Sequence, residues 1–466
     1  MREGLVAIFD VGKTNTKVAL VNRSDGEVAW TRSRFTPSGP SEPYRHFDVA
    51  ALEAFLLESL AEAPHKSAVT AIMPVTHGAC AALVTDDGLA LPVMDYEDPQ
   101  VEEISRAYEA ERDPFADTLS PALPLGLNLA RQLFWLENRF PEAFARATHL
   151  LMYPQYWSWR LSGVPASEVT SLGTHTDLWR PNAAGPSAFA VARGYARRMP
   201  PLRGAAEVLG QLRPEIARRT GLPAATQVLC GIHDSNASYI RHRLARPTGE
   251  PFSVVSTGTW SIVMSNGADL RRLDERRDML ANVNALGEPV ATARFMGGRE
   301  HDHIVAGDTG PGWDAGGALE GLIDRGIMAL PSFTATGGPF QGRCGRIVGE
   351  ELLEPGQRGA LAGLYLALMT DHVLDLLGAR GDIIVEGPQA ENATFLGGLA
   401  ALREGSTVLR SSDRTGTLGG VLALMDGPGL GEALRPCEPL IGGALHRYRD
   451  LWREAVADSR ETDRVA

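Results

Sequence analysis

Four cysteines, Cys80, Cys230, Cys344 and Cys437, are scattered through 466 residues, with no Cys-x-x-Cys pair among them. That spacing gives no basis for a disulfide framework or a thiolate zinc site, and free thiols in a reducing cytoplasm are expected. No apolar run approaches the length of a bilayer span. The opening Met-Arg-Glu-Gly leads straight into strand-like sequence, without a basic stretch followed by an apolar one. A cytoplasmic protein with no membrane attachment is the expectation. Positive charge is also short: 45 Lys and Arg against 57 Asp and Glu leave a net −12. Nonspecific nucleic-acid binding is therefore not expected, although a local basic cleft could still hold a nucleotide. There is no low-complexity tract. What remains is an ordinary globular composition, 44% hydrophobic and 22% charged, over a length that suits two domains of about 200 residues each.

The chain is organised around Leu5 to Leu20, LVAIFDVGKTNTKVAL. An apolar run stops at Asp10-Val11-Gly12, and strand-like sequence resumes at Thr16, which reads as a β-hairpin. Gly12 lets a ligand approach the backbone. Thr14, Asn15 and Thr16 supply donors and Lys17 a positive charge, a set that suits a phosphate group, while Asp10 suits a hydrated Mg²⁺ beside it. The pattern returns in FSVVSTGTWSIVM, where a strand runs into Ser256-Thr257-Gly258-Thr259 and another leaves from Trp260. Either hairpin alone reads better as an ordinary turn. The pair suggests a duplicated fold holding one nucleotide.

Between these hairpins, residues 48–63 have helical spacing with Asp48 as N-cap, and Ala68 to Val75 reads as a buried strand ending at Thr76-His77-Gly78. Residues 100–225 read as mostly helical, with an amphipathic segment from Leu125 to Asn138. Their aromatic clusters are expected in the core. Val228 to Gly231 is a short strand ending in His233-Asp234-Ser235-Asn236, polar groups at the strand edge where α/β domains bind ligands. Arg246-Pro247-Thr248-Gly249 reads as a hinge. Beyond it come a long apolar helix, Leu361 to Leu377, a strand, Asp382 to Val385, a helix from about Asn392 to Arg403, and a glycine pair, Gly419-Gly420, at an apolar helix. The expected division is 1–246, 250–456 and a tail, 457–466.

These positions together resemble the FGGY family of carbohydrate kinases, over most of the chain. Asp10-x-Gly12-x-Thr14-x-x-Lys17 is similar to the family's first phosphate hairpin, Ser256-Thr257-Gly258-Thr259-Trp260-Ser261 to its second, and Gly231-x-His233-Asp234-Ser235 to the segment carrying its catalytic aspartate. His233-Asp234-Ser235, Glu168-Val169-Thr170 and Gly258-Thr259-Trp260-Ser261 look most like the rhamnulokinase, or deoxy-ketose kinase, branch. The resemblance implies a two-domain actin-like (ribonuclease H-like) α/β ATPase fold in which sugar and Mg-ATP meet in a cleft between the domains.

It further implies that Asp234 is the general base and that Gly78, His233 and Ser235 touch the sugar, with Asp98 on the same side. Residues Lys13 to Lys17, Thr257 to Thr259, Gly387 and Gly419 fall on nucleotide positions, and Asn392 resembles the asparagine after the adenosine-loop glycines. Three departures accompany the match. The usual Gly-Gly-Gly reads Glu386-Gly387-Pro388, which removes a backbone N–H. Gln100 replaces an arginine, and His77 stands where rhamnulokinases tend to have tryptophan. The expected activity is phosphoryl transfer from ATP to a ketose, L-rhamnulose or L-fuculose, with xylulose or ribulose as alternatives. Its partners would be sugar and ATP, in a monomer or homodimer. An actin-like assembly protein or a catalytically inactive sugar-binding regulator would share the fold, but neither requires the Asp234 carboxylate.

Overall fold

A computed structural model describes residues 4–37, 39, 42–306, 308, 317–411, 416–427, 434–440 and 442–462. The chain divides into two compact units. The first takes Met1–Arg246, Ala281–Pro289 and Thr415–Gly431, the second Pro247–Leu280, Val290–Arg414 and Glu432–Ala466. Two short stretches expected in the second domain, 281–289 and 415–431, thus belong to the first unit.

In the first unit, β1 (Leu5–Val11) and β2 (Asn15–Asn22) pair antiparallel, with Asp10 opposite Lys17. Both faces of β1 are covered: Val6, Ala7, Ile8 and Phe9 are all buried, which is why it reads as an unbroken apolar run rather than an alternation. β3 (Val28–Phe35) extends the hairpin. The helix Val49–Glu62 follows, with Asp48 accepting from the Ala51 amide at 2.9 Å. β4 (Val69–Thr76) then runs parallel to β1, so Val11 and Thr76 end side by side. Two short strands, Gln227–Leu229 and Ile232–His233, also run parallel to β4, and His233 pairs with Thr76. Between them Gly231 sits at φ +90°, where a Cβ would lie 2.8 Å from the Pro74 carbonyl oxygen. The Asp10, His77 and Asp234 segments therefore share one edge of this sheet, the carboxyl end of its parallel strands.

The helix Asp234–Leu244 leaves that edge, and the helix Gly416–Asp426 packs on it. A Cβ on Gly420 would fall 1.7 Å from the Ala237 carbonyl oxygen. Leu418, Val421 and Leu422 join Val6, Ile8, Ala19 and Met73 in one buried cluster. The amphipathic helix expected from Leu125 begins only at Leu129. Leu125 has φ +55°, and the Asn128 side chain binds the preceding loop, accepting from the Leu123 amide at 2.8 Å.

In the second unit, the strands Phe252–Thr257 and Ser261–Asn266 form the second antiparallel hairpin, and Asp382–Glu386 runs parallel to the first of them. The helix Arg358–Leu377 lies in the core of this unit. Contrary to the reading of its sequence, this helix is long and apolar enough to cross a bilayer; most of it is buried within the protein. The last helix, Gly442–Thr462, runs through the first residues of the expected tail, and 463–466 lie outside the described residues.

Candidate active site

Asp234 opens its helix, where the exposed backbone N–H groups favour a carboxylate. Its Oδ1 atom accepts from the Ser235 amide at 2.6 Å and the Ser235 hydroxyl at 3.2 Å. It also lies 3.2 Å from Nε2 of His233. No contact falls on Oδ2 among the described residues, and the side chain is 31% exposed. One oxygen fixes the carboxylate, and the other has no hydrogen bond or ion pair among the described residues.

His233 is buried and held on three sides. Its amide donates to the Thr170 hydroxyl at 3.1 Å, which itself donates to buried Glu168 at 2.5 Å. Asn236 Nδ2 lies 3.2 Å from His233 Nδ1; with the amide donating, the ring proton sits on Nε2 and points at Asp234. Burial lowers the pKa of His233 against the pull of the Asp234 charge, so the ring is neutral near pH 7.

His77 lies at the end of β4, inside a box of rings: Phe47 at 5.2 Å, Tyr153 at 5.3 Å and Tyr96 at 5.8 Å between centroids. Nδ1 is 2.8 Å from the Gly78 carbonyl and donates to it, which makes Nε2 an acceptor. That atom is buried without a partner among the described residues. Burial lowers the pKa of His77 first, and the Lys13 charge adds to it. Next to it, a Cβ on Gly78 would lie 3.0 Å from His233 Nε2, so glycine lets the chain after His77 pass close against the His233 ring.

At the hairpin turn the Gly12 amide donates to the Asn15 carbonyl at 2.9 Å, and Thr14 and Asn15 are exposed. Asp10 Oδ2 is 3.4 Å from Lys17 Nζ and 3.5 Å from the Thr417 hydroxyl. Burial raises the pKa of Asp10; Lys17 opposes this and the Asp234 charge adds to it. Asp10, Lys17 and Asp234 therefore form one electrostatic group. Thr16 is different: it is fully buried, its hydroxyl 2.9 Å from that of Thr36, which donates to the Gly12 carbonyl at 2.7 Å. It braces the turn from behind.

Two further expected residues are occupied within the fold. Asp98 caps the turn Pro99–Ile104, accepting from the Gln100 amide at 2.7 Å and, through its other oxygen, from the Arg45 amide. Lys13 turns away from the hairpin mouth to pair with buried Asp95. Asp95 also receives the Glu97 amide at 3.0 Å, and no motif had singled it out.

In the second unit, Gly258 and Thr259 form the hairpin tip, and Thr259 is exposed. Thr257 is buried, donating to the Glu386 carbonyl at 2.6 Å and accepting from the Gln389 amide at 3.0 Å. Gly387, at φ +85°, passes so close that a Cβ would meet the Thr257 oxygen at 2.1 Å. Asn392 is fully buried as a helix N-cap, accepting from the Phe395 amide at 3.0 Å and donating to Gln389 Oε1 at 2.9 Å. Thr257 and Asn392 thus shape the loops, and their polar atoms are engaged. Gly419 lies within the helix Gly416–Asp426 of the first unit, half-buried. Among the described residues no group of three or more His, Cys, Asp or Glu could hold a metal ion.

Residues 5–240 match the N-terminal domain of the FGGY family of carbohydrate kinases, and residues 249–433 match the carbohydrate kinase FGGY C-terminal domain. The structure of a carbohydrate kinase from Novosphingobium aromaticivorans is similar with a TM-score of 0.89 and 38% identity, over 99% of this chain and 100% of that one. A xylulose kinase from Rhodospirillum rubrum, 20% identical over 99% of both chains with a TM-score of 0.79, shares the fold. An L-fuculokinase from Salmonella typhi is 28% identical over 273 residues, and this chain spans 57% of its length. A rhamnulokinase from Oceanobacillus iheyensis is 28% identical over 142 residues, 28% of its length. Two domain matches that run through both units, together with the full-length likeness to the Novosphingobium kinase, place this two-domain α/β chain in the FGGY family of carbohydrate kinases.

Proposed function

We propose that the chain transfers the γ-phosphoryl group of ATP to a hydroxyl of a ketose, with Asp234 as general base. The observation that carries this is the asymmetry of Asp234, whose Oδ1 takes every recorded contact while Oδ2 takes none among the described residues. A base of this kind supplies typically about 10²- to 10⁴-fold in rate. Oδ2 would accept the hydroxyl proton as the sugar oxygen attacks phosphorus, while His233, Ser235 and the helix N-terminus hold Oδ1. His77 Nε2 would accept from a second hydroxyl. The hairpin turn with Thr14, Asn15 and Lys17 would hold phosphate oxygens, and the tip at Gly258-Thr259 and the loop at Gly387 would hold other parts of the nucleotide. Mg²⁺ carried on those phosphates would neutralise their charge, and Asp10, 3.4 Å from Lys17 at the hairpin, is the carboxylate suited to meet it through water. As substrate we favour a 6-deoxy-ketose, on the names of the fuculokinase and rhamnulokinase relatives.

A coupled ADP-release assay over ketoses, aldoses and polyols tests this. Sugar-dependent release is expected, falling at least about 100-fold in Asp234→Asn with sugar and ATP binding retained. Turnover near the wild-type rate in that variant would remove Asp234 from the mechanism.

A further inference from the structure

We propose that Lys13 is a sugar-side residue, positioning the pocket for an uncharged, hydroxyl-rich substrate, and takes no part in holding phosphate. This deepens the kinase reading above and rests on it. Lysine is scarce here: only three of the 45 basic residues are lysines, and two of them, Lys13 and Lys17, flank one turn. They go to different places. Lys17 stands across the ladder from Asp10. Lys13 reaches 82 positions along the chain to Asp95, and its Nζ is also 3.4 Å from Glu97. On the way it lies 4.8 Å from the Tyr96 ring centre and 5.0 Å from that of Phe47.

Those rings are two walls of the box around His77. Asp95 is 1% exposed, so withdrawing the ammonium to reach a phosphate would strip one of the two cations, Lys13 and Arg45, from a buried carboxylate, an unfavourable change. The local positive charges are also outnumbered, two against three carboxylates among the described residues. Lys13 and Arg45 face Asp95 and Glu97, with Asp98 behind them as a cap. No positive charge is left over to bind a sugar carboxylate. The charged or titratable groups facing His77 are Tyr96, Tyr153, Lys13, Asp234 and His233; burial chiefly, with the Lys13 charge adding to it against that of Asp234, favours the neutral ring, and a neutral acceptor takes a hydroxyl.

The test compares Lys13→Met, Lys13→Arg and the pair Lys13→Met/Asp95→Asn, which leaves no stranded carboxylate. The expected result is a KM for the neutral sugar raised about tenfold or more in both methionine variants and largely restored by arginine, with KM for ATP within about twofold. A raised KM for ATP with an unchanged sugar KM would overturn the assignment. Preference for a sugar acid over its neutral counterpart would do the same. If no sugar supports ADP release at all, the kinase reading fails, and the Lys13 inference is decided by the His77 imidazole titration measured by NMR. An upward shift in Lys13→Met keeps Lys13 beside His77; an unmoved titration removes it.

Discussion

Asp234 differs from the carboxylates around it in how its two oxygens are used. Both oxygens of Asp98 cap backbone amides, and Asp95 is tied to Lys13, Arg45 and the Glu97 amide. Asp234 alone among these three is anchored through one atom. His233 supplies part of that anchor through Nε2, 3.2 Å from Asp234 Oδ1, so on the proposed mechanism it would act through the base. Replacing His233 with phenylalanine keeps the ring volume and removes the N–H. The expected outcome is a kcat lowered about tenfold or more with little change in KM for ATP, read in the same coupled assay. Residue types at these positions were legible in the sequence. Whether their polar atoms were already engaged was not: Thr16, Thr257 and one oxygen of Asp98 find partners 20 or more positions away, whereas the local cap contacts of Asp98 with Gln100 and of Asn392 with Phe395 compete with a ligand role within the motif itself. Lys13 shows a related limit, since neighbours in a turn can point in opposite directions, and only its distant partner Asp95 reveals which.

At the level of single elements, both hairpins, the Asp48-capped helix and the strand before His77 follow from apolar runs punctuated by glycine and polar turns. The late start of the helix at Leu129 does not, because the Asn128 side chain is committed to loop contacts that periodicity cannot register. Asn392 provides a test at this scale. As a cap, its replacement by alanine is expected to reduce stability by about 0.5–2 kcal/mol in chemical denaturation, with KM for ATP unchanged. A higher KM for ATP at unchanged stability would return Asn392 to the nucleotide.

For the whole molecule, buried ionisable groups couple stability to pH. Glu168 is fully buried and burial raises its pKa to about 7 from the usual 4.5, against the hydrogen bonds from Thr170 and Ser171. Because the folded-state pKa is the higher one, its contribution is complete below about 4.5 and is lost as pH rises through 7. Glu168→Gln keeps the acceptor for Thr170 and removes the titration. Its stability relative to wild type is expected to grow between pH 5 and pH 8, by up to about 3 kcal/mol, as measured by denaturant melts at each pH. A difference that stays flat across that range would mean Glu168 ionises normally.

The helix Gly416–Asp426 belongs to the first unit although both earlier stretches of the second, Pro247–Leu280 and Val290–Arg414, precede it. Its contact with Ala237 admits no side chain at Gly420, and its leucines close the cluster behind Val6 and Ile8. During synthesis, then, the helix that begins at Asp234 waits for its neighbour until the ribosome has passed residue 426. Until that moment a patch of the nascent first unit stays open to solvent and to chaperones, and a fragment cut at the hinge would carry Asp234 without the helix that packs against its own.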